Sequence, residues 1–179
     1  MPVPDPLEVR CAEERDLDAV VDLVNRSYRG ESSRVGWTTE ADLVAGQRID
    51  KELLGVMLSE PGSVVLLHEL DRCIVGSVHL QRCGEEAYLG MLTIRPDLQA
   101  KGLGRRMLLA AEAFAAREWQ SAAIRMMVLV QRKELIAWYE RRGYARTGER
   151  EEFPYGEQRF GLPLRPDLSF EVLRKLLPS

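Results

Sequence analysis

Residues 92–106 read LTIRPDLQAKGLGRR, and this segment decides which fold the sequence predicts. The apolar residues before Arg95 and Pro96 indicate the end of a strand, and a long helix is predicted from about Leu103 to Trp119. Glycines at 102 and 104 let the backbone approach a ligand closely and expose its N–H groups. Such amides, at the N-terminus of a helix, form a site for a phosphate or pyrophosphate. The segment therefore predicts a phosphate-binding turn.

Cationic side chains cluster in the first turn of that predicted helix. Lys101, Arg105 and Arg106 stand there, and no Asp or Glu accompanies them. Each cation opposes the helix dipole by about 0.3–1 kcal/mol, so a helix selected only for stability would carry acids instead. Because violations of a local rule tend to mark functional sites, a bound polyphosphate is one explanation. A plain strand–turn–helix junction, with glycines needed only for tight geometry, stays open.

Two other phosphate-binding motifs do not fit this segment. A Walker loop needs G-x-x-x-x-G-K followed by Ser or Thr, whereas Arg105 and Arg106 follow Gly104. A dinucleotide-binding fingerprint needs a third glycine where Met107 stands, and an early strand in a βαβ unit. Nucleotide binding of either kind is therefore not predicted.

Short apolar segments predict a sheet on both sides of the turn. The predicted strands are Val9–Cys11, Ser63–Leu70, Cys73–Gln81, Ala87–Ile94, Ile124–Val130, Tyr144–Glu149 and Ser169–Leu176. Short connections among the second, third and fourth favour antiparallel pairing. The fifth is a nearly continuous apolar run, typical of a strand covered on both faces. Together with the helices, these strands predict an α/β (α+β) single domain with a mixed sheet.

Apolar residues with helical spacing predict helices packed against this sheet. The first is predicted after Asp16, a reasonable N-cap. Its inner face would carry Leu17, Val20, Val21, Val24 and Tyr28. A weak capping-box pattern at Thr39 predicts a second helix through Val44. Further helices are predicted at 51–58 and 133–142.

The composition is ordinary for a globular domain and disfavours some functions. The 25 Lys+Arg and 28 Asp+Glu give a net charge of −3, whereas a nucleic-acid binder usually has a strong basic excess. Cys11, Cys73 and Cys83 show no metal-ligand spacing and no C-x-x-C pair, so no metal is predicted, and all three are expected to be small buried hydrophobes. No apolar run reaches membrane-spanning length, and the N-terminal residues lack the apolar core of a signal peptide. A cytoplasmic protein with no membrane or nucleic-acid partner is expected.

Two motifs in this sequence resemble those of the GNAT superfamily of N-acetyltransferases. The family signature is Gln or Arg, two residues, Gly, one residue, then Gly or Ala. It stands here as Gln99-Ala100-Lys101-Gly102-Leu103-Gly104. A later family feature, an aromatic–Tyr–Glu segment ending in Gly–aromatic, is matched by Trp138-Tyr139-Glu140-Arg141-Arg142-Gly143-Tyr144. The order of elements is similar from about residue 7 to 176, so the resemblance implies one GNAT-like domain over residues 1–179.

The resemblance implies a fold, a cosubstrate and a set of site residues. The sheet would be mostly antiparallel and flanked by helices, with a splay between the strand ending near Ile94 and the strand 124–130. Acetyl-CoA would lie in this splay, without a metal. The backbone of Leu92, Thr93 and Ile94 would pair with the pantetheine arm. The amides of Gln99, Ala100, Lys101, Gly102, Leu103, Gly104 and Arg105 would hold the pyrophosphate. Tyr139 would lie beside the thioester sulfur as a proton donor.

The sequence departs from the family pattern at two positions. Arg132 stands where many relatives carry an Asn that contacts CoA. Tyr88 stands where some relatives carry a Glu base, so the base is unassigned. His79, Glu85 and Glu86 are further candidates for a base or water relay, although each is more often structural.

Two segments could select the acceptor. Residues 29–37 are turn-rich and polar, and they predict an exposed loop in which Glu31 and Trp37 could line an acceptor pocket. Residues 151–167 hold three aromatic residues and could cover the site.

The sequence thus predicts an N-acyltransferase that moves acetyl from acetyl-CoA to a primary amine by direct attack of the neutral amine. The acceptor is open between a small-molecule amine and a protein or peptide amine, and a homodimer is possible. A non-catalytic acyl-CoA-binding or sensing domain is the alternative, since it would keep the phosphate-binding turn and need no Tyr139. An arginine-rich nucleic-acid-binding module is disfavoured by the net charge.

Overall fold

A computed structural model describes residues 7–178, so residues 1–6 and 179 of the predicted domain lie outside the described part. The strands are β1 (Arg10–Cys11), β2 (Val44–Ala45), β3 (Ser63–Leu70), β4 (Cys73–Cys83), β5 (Glu86–Ile94), β6 (Ala123–Leu129), β7 (Ala145–Glu152), β8 (Leu162–Pro163) and β9 (Ser169–Leu176). The helices are α1 (Leu17–Tyr28), α2 (Gly30–Ser33), α3 (Lys51–Ser59), α4 (Leu103–Glu118) and α5 (Lys133–Glu140). None of the helices in this described part is long and apolar enough to cross a membrane.

Seven strands form one sheet in the order β1-β3-β4-β5-β6-β9-β7. All neighbours pair antiparallel except β5 and β6, which are parallel and joined through α4. A parallel pair needs such a crossover, because its strands run in the same direction. The predicted mixed, mostly antiparallel sheet flanked by helices is confirmed.

The central strands β5 and β6 separate along their length. They pair only where residues 86–88 of β5 face residues 123–125 of β6. Beyond that point β6 stays paired to β9 as far as Leu129, while β5 stays paired to β4 as far as Ile94. A wedge therefore opens between β5 and β6, and the predicted splay is confirmed.

A bulge in β5 lies inside this wedge. The register between β4 and β5 shifts between Ser77 and His79, and Met91 on β5 has a φ of 49°. Bulges bend a strand and redirect its side chains, and they are common beside functional sites. No residue type in the sequence pattern signals this bulge, because Met91 is not a residue that usually adopts a positive φ.

Two apolar clusters hold helices to the two faces of the sheet. On one face α4 and α5 pack on the central strands, with Met107, Ala111, Ile124 and Leu173 fully buried. On the other face α1 and α3 cover β3 and the β5 bulge, with Val24 and Leu54 among the buried members. The splay lies between the two clusters and opens at the ends of β5 and β6, where α5 begins.

Three local predictions are wrong in whole or in part. The helix predicted from Thr39 is a turn, because the Thr39 hydroxyl accepts from the Ala41 amide and Val44 then enters β2, which pairs with β8. Residues 29–37 are not simply an exposed loop, since they include α2 and the buried Arg29. Asp16 stands at the predicted N-cap position of α1, but its side chain makes no capping bond to this helix. Its carboxylate instead accepts from the Glu13 amide and pairs with Arg10.

The prediction of buried cysteines is also wrong. Cys11, Cys73 and Cys83 are all free and exposed. Cys11 belongs to the edge strand β1, while Cys73 and Cys83 are the first and last residues of β4, at the ends of hairpins. Strand ends and sheet edges leave side chains in water whatever their polarity, so composition alone did not indicate this exposure.

His79 is a buried polar residue in the middle of the sheet. Its Nε2 lies 2.9 Å from the Ser63 hydroxyl oxygen on β3. Burial, with a smaller contribution from the charge of Arg48, lowers the pKa of His79 to about 4. The imidazole is therefore neutral at pH 7.

We expect the free energy of unfolding to fall as the pH drops from about 6.5 towards 4. The unfolded chain protonates His79 near its ordinary pKa of about 6.5, whereas the folded chain resists protonation until about 4. Up to about 3 kcal/mol of the free energy of unfolding is present above pH 6.5 and is lost as the pH falls towards 4. Urea unfolding at a series of pH values would measure it, and His79→Gln should flatten this part of the profile. If the free energy of unfolding of His79→Gln depends on pH as steeply as that of the wild type, the attribution of this dependence to His79 is contradicted.

Candidate active site

The segment between β5 and α4 folds into a tight turn with unengaged amides. Ala100 has a φ of 61° and Gly102 a φ of 83°, so two residues of the turn are left-handed. No backbone or side-chain acceptor within residues 7–178 engages the N–H groups of residues 100–105. The first backbone bond of α4 runs from the Arg106 amide to the Gly102 carbonyl, at 3.2 Å. Successive free amides in such a turn form an anion-binding concavity.

Ala100 has a strained, left-handed backbone conformation in this turn. A residue with a Cβ pays about 1–2 kcal/mol to adopt a positive φ. Strained backbone of this kind is concentrated at functional sites. The first turn of α4 contains no acidic residue, as the sequence indicates.

A cavity of about 370 Å³ adjoins the turn. Its lining includes Ala100, Gly102, Gly104 and Arg105 on one side, and Trp37 and Trp138 on the other. The guanidinium of Arg142 lies 3.6 Å from the centre of the Trp138 ring, and this side chain also lines the cavity. Of the predicted pyrophosphate residues, Gln99, Ala100, Gly102, Gly104 and Arg105 line this cavity, whereas Lys101 and Leu103 do not. The arginines of the lining give this space a positive charge.

The Gln99 side chain makes two hydrogen bonds that the sequence does not indicate. Its side-chain amide donates to the Ile94 carbonyl at 3.0 Å, and its side-chain oxygen accepts from the Trp37 amide at 3.1 Å. A Cβ on Gly36 would lie 2.3 Å from that oxygen, so only glycine allows this approach. Gln99 therefore ties the turn both to the end of β5 and to the early loop. Sequence reasoning missed the Gly36–Gln99 contact, because it joins distant positions.

The residues predicted to pair with pantetheine lie on the β5 edge of the wedge. Leu92 and Ile94 line the 370 Å³ cavity, whereas Thr93 is buried and its hydroxyl donates to the Met91 carbonyl. The Leu92 carbonyl accepts from the Tyr28 hydroxyl at 3.1 Å, and the Ile94 carbonyl accepts from Gln99. Each carbonyl keeps a second lone pair, and no strand within residues 7–178 pairs with this edge of β5 at residues 92–94.

Tyr139 lies where two cavities meet. It is buried on α5, and its ring packs edge-on against Trp138 and Tyr144 at centroid distances of 5.0 and 5.5 Å. It lines both the 370 Å³ cavity and a second one of about 630 Å³. Burial, with a smaller contribution from Tyr28, raises the pKa of Tyr139 well above its ordinary value. The phenol therefore keeps its proton and is a donor at neutral pH.

The second cavity occupies the wedge and extends towards α1. It is formed by the splayed ends of β5 and β6, the end of α1 and the start of the 151–167 segment. The charged and aromatic residues of its lining are Tyr28, Arg29, Glu40, Arg48, Tyr88, Arg132, Tyr139, Glu151, Glu152, Phe153, Glu157, Phe160 and Phe170. Its volume lies in the range typical of small-molecule sites.

A buried ionic network forms part of the wall between the cavities. Glu40 pairs with Arg132 through one carboxylate oxygen at 2.9 Å and with Arg29 through the other at 3.1 Å. Arg132 also donates to the Thr38 hydroxyl at 2.7 Å. Arg132, noted in the sequence only as a departure from the family pattern, therefore fixes the early loop against α5. Because both Glu40 oxygens are engaged, this carboxylate is not a free base.

The remaining candidate residues differ in whether they line one of the two cavities. Tyr88 lines the 630 Å³ cavity, and Trp37 lines the other. His79 lines neither cavity, and Glu86 pairs with Arg174 at 2.8 Å on the sheet. Glu85 is exposed in a hairpin, and Glu31 is an exposed partner of Arg34. Within residues 7–178, no group of three or more His, Cys, Asp or Glu side chains is arranged to hold a metal.

The chain is similar to one protein family and to several solved structures. The family model of an acetyltransferase (GNAT) domain matches residues 34–155, which is more than half of the chain. A ribosomal-protein-alanine N-acetyltransferase from Brucella melitensis superposes with a TM-score of 0.69 at 20% identity, over 96% of this chain and 100% of that one. A spermidine/spermine N-acetyltransferase from Vibrio cholerae superposes with a TM-score of 0.65 at 19% identity, over 96% and 92% of the two chains. At such identities the likeness concerns the fold.

Proposed function

Because the chain belongs to the GNAT acetyltransferase family, we propose that it moves an acetyl group from acetyl-CoA to a primary amine, by direct attack of the neutral amine on the thioester. The proposal treats residues 1–179 as one domain with its core at about 7–176. The three exposed free cysteines are compatible with a reducing compartment such as the cytoplasm.

The free amides of residues 100–105 are the observation that carries this proposal. A pyrophosphate would accept hydrogen bonds from these N–H groups and gain from the dipole of α4. Lys101 and Arg105 would add charge, and their unfavourable position at a helix N-terminus would become favourable. This set of donors supports the proposal that the turn binds the pyrophosphate of CoA.

The wedge supports the same cosubstrate. In the described part of the chain, no strand pairs with the β5 edge at Leu92, Thr93 and Ile94, so this edge offers backbone groups to an extended chain. A pantetheine arm has amide groups with the spacing to use such an edge, and in this position it would extend from the phosphate-binding turn towards Tyr139. The two cavities would then hold the two substrates, one on each side of that tyrosine.

When bound, acetyl-CoA supplies a thioester: the amine nitrogen bonds to the acetyl carbon as the C–S bond breaks, the amine loses a proton and the sulfur gains one. The chain has to favour the neutral amine and protonate the sulfur. An alkylamine with a pKa near 10.4 is only about 0.04% neutral at pH 7, which corresponds to about 4–5 kcal/mol. Tyr139, which stays protonated, is the proposed donor to sulfur.

The inner wall of the larger cavity would help to deprotonate the amine. Arg29 and Arg132 share a single acid, Glu40, so this part of the wall carries an excess of positive charge. Positive charge near an ammonium group destabilises it and lowers its pKa. The proposal therefore needs no side-chain base in contact with the amine, and leaves the last proton to water.

The acceptor is proposed as a small-molecule amine or a peptide amine. Fold neighbours whose names specify ribosomal-protein alanine or spermidine and spermine represent both classes. The cavity volume of about 630 Å³ is sufficient for a small molecule or for the end of a peptide.

Two measurements on the purified chain test the proposal. Acetyl-CoA is first titrated by calorimetry, and binding is expected. A panel of primary amines is then incubated with acetyl-CoA, and free thiol is followed over time. Release that depends on the amine supports the transferase, whereas binding without release from any amine supports the alternative acyl-CoA-binding domain. Absence of binding to well-folded protein would contradict both.

A further inference from the structure

The larger cavity contains an arginine for which residues 7–178 provide no acidic partner. Arg48 lies between β2 and α3, half-buried in the cavity lining. Asn25 on α1 holds this position: its side-chain oxygen accepts from the amides of Arg48 and Ile49 at 2.6 and 3.1 Å, and its side-chain nitrogen donates to the Ile49 carbonyl at 2.9 Å. The backbone that carries Arg48 is therefore fixed to a core helix.

The Arg48 guanidinium is directed at the reacting end of the cavity. It lies 5.6 Å from the centre of the Tyr28 ring, and the hydroxyl of that ring donates to the Leu92 carbonyl. No Asp or Glu among residues 7–178 forms an ion pair with Arg48. A charged guanidinium that is partly desolvated without an anion is costly, and a charged ligand would offset the cost.

Charges elsewhere in the lining do not neutralise Arg48. Glu40 is used by Arg29 and Arg132, one oxygen each. The other acids are Glu151, Glu152 and Glu157, which are exposed at the outer end of the cavity. Exposed charges are screened by water and salt, whereas a half-buried charge facing Tyr28 and Tyr88 is screened much less. The inner part of the cavity thus favours an anion.

We infer that the acceptor is an amine that also carries a carboxylate, and that Arg48 binds this carboxylate. The inference rests on the proposed acetyl transfer and specifies its substrate class. The planar guanidinium can donate two parallel N–H bonds to the two oxygens of one carboxylate. The amine would then lie near Leu92 and Tyr139, and the carboxylate is unchanged by the reaction.

Matched pairs of acceptors test this inference. The panel contains the common α-amino acids, β-alanine and γ-aminobutyrate, each with its carboxamide, together with spermidine as a cationic acceptor. For at least one pair we expect kcat/KM for the carboxylate to exceed that for the carboxamide at least about tenfold, in line with the loss of a charge-assisted hydrogen bond. Thiol release is the readout.

Variants of Arg48 separate binding from folding. Arg48→Gln should lower kcat/KM for the carboxylate about 10- to 100-fold, mainly through KM, and leave the carboxamide unchanged. Arg48→Lys should restore part of the loss, because it keeps the charge without the fork. Arg117→Gln, an exposed arginine remote from both cavities, is the matched control and should have no effect. Thermal melts would confirm that each variant is folded.

Two results would overturn the inference while leaving the proposed function intact. One is faster acetylation of carboxamides or spermidine than of every carboxylate in the panel. The other is an equal effect of Arg48→Gln on both members of a pair. Acetyl-CoA binding without acetylation of any carboxylate amine would also contradict the inference, whereas the absence of acetyl-CoA binding would contradict the proposed function itself.

Discussion

A Gly102→Glu variant is expected to bind acetyl-CoA at least about 10³-fold more weakly than the wild type. Gly102 lines the smaller cavity beside the free amides of residues 100–105, and a Cβ there meets no atom within 4 Å, so the variant adds a negative charge at the edge of this space. Two like charges about 4 Å apart repel by about 4 kcal/mol at the effective dielectric constant of a protein surface, which corresponds to that factor. Calorimetric titration of acetyl-CoA is the measurement.

Gly84→Glu is the matched control. Gly84 has a φ of 63°, close to the 83° of Gly102, and a Cβ at either position meets no atom within 4 Å. Both variants therefore have the same backbone strain and the same added charge. Gly84 lies in the hairpin between β4 and β5, outside both cavities. Equal affinity losses in the two variants would contradict a phosphate site at Gly102, and so would an unchanged affinity in Gly102→Glu.

The turn between β5 and α4 could be predicted because its signals are local. Two glycines, a proline and three cations occur within eleven residues, and each restricts the backbone or charge of that segment alone. The same is true of β3, β4 and α4, whose observed bounds lie close to the predicted ones. The parallel pairing of β5 and β6 follows from the predicted strand–helix–strand order, but the point at which they separate does not.

The larger cavity could not be predicted, because its walls come from distant parts of the chain. Arg29, Glu40 and Arg132 form one network although 103 positions separate the first from the last. In the sequence each is an ordinary charged residue, and only tertiary contact shows that two cations share one buried acid. The position of Arg48 could not be predicted either, since the lack of an acidic partner among residues 7–178 depends on tertiary contacts that a sequence pattern does not express.

The wrong predictions occur where tertiary structure overrides a local sequence signal. At Thr39 a side-chain hydrogen bond to the backbone gives a single turn, and the segment then continues as a strand because β8 is available to pair with it. Local capping signals do not contain that information. The cysteines illustrate the converse case: residue type favours burial, but the position of a strand end decides exposure.

A Tyr139→Phe variant is expected to lose about 10²- to 10⁴-fold in kcat while its affinity for acetyl-CoA stays close to that of the wild type. The substitution removes one hydroxyl from a ring that packs against Trp138 and Tyr144, so the packing and both cavities remain. A hydroxyl that donates a proton to the departing sulfur acts in the transition state rather than in the bound complex. Thiol release with a productive amine gives kcat, and calorimetry gives the affinity.

Tyr144→Phe provides the comparison that distinguishes chemistry from packing. Tyr144 is also buried and belongs to the same aromatic group, but its hydroxyl donates to Glu112 at 3.0 Å and it lines neither cavity. Loss of the Tyr144 hydroxyl should lower the free energy of unfolding and leave kcat nearly unchanged.

The raised pKa of Tyr139 keeps its phenol protonated across the neutral and mildly alkaline range. The kcat/KM of the wild type should therefore rise with pH as the amine deprotonates, and Tyr139 should cause no decline in this range. A Tyr139→Phe variant with unchanged kcat would remove the phenol from the mechanism and transfer protonation of the sulfur to water.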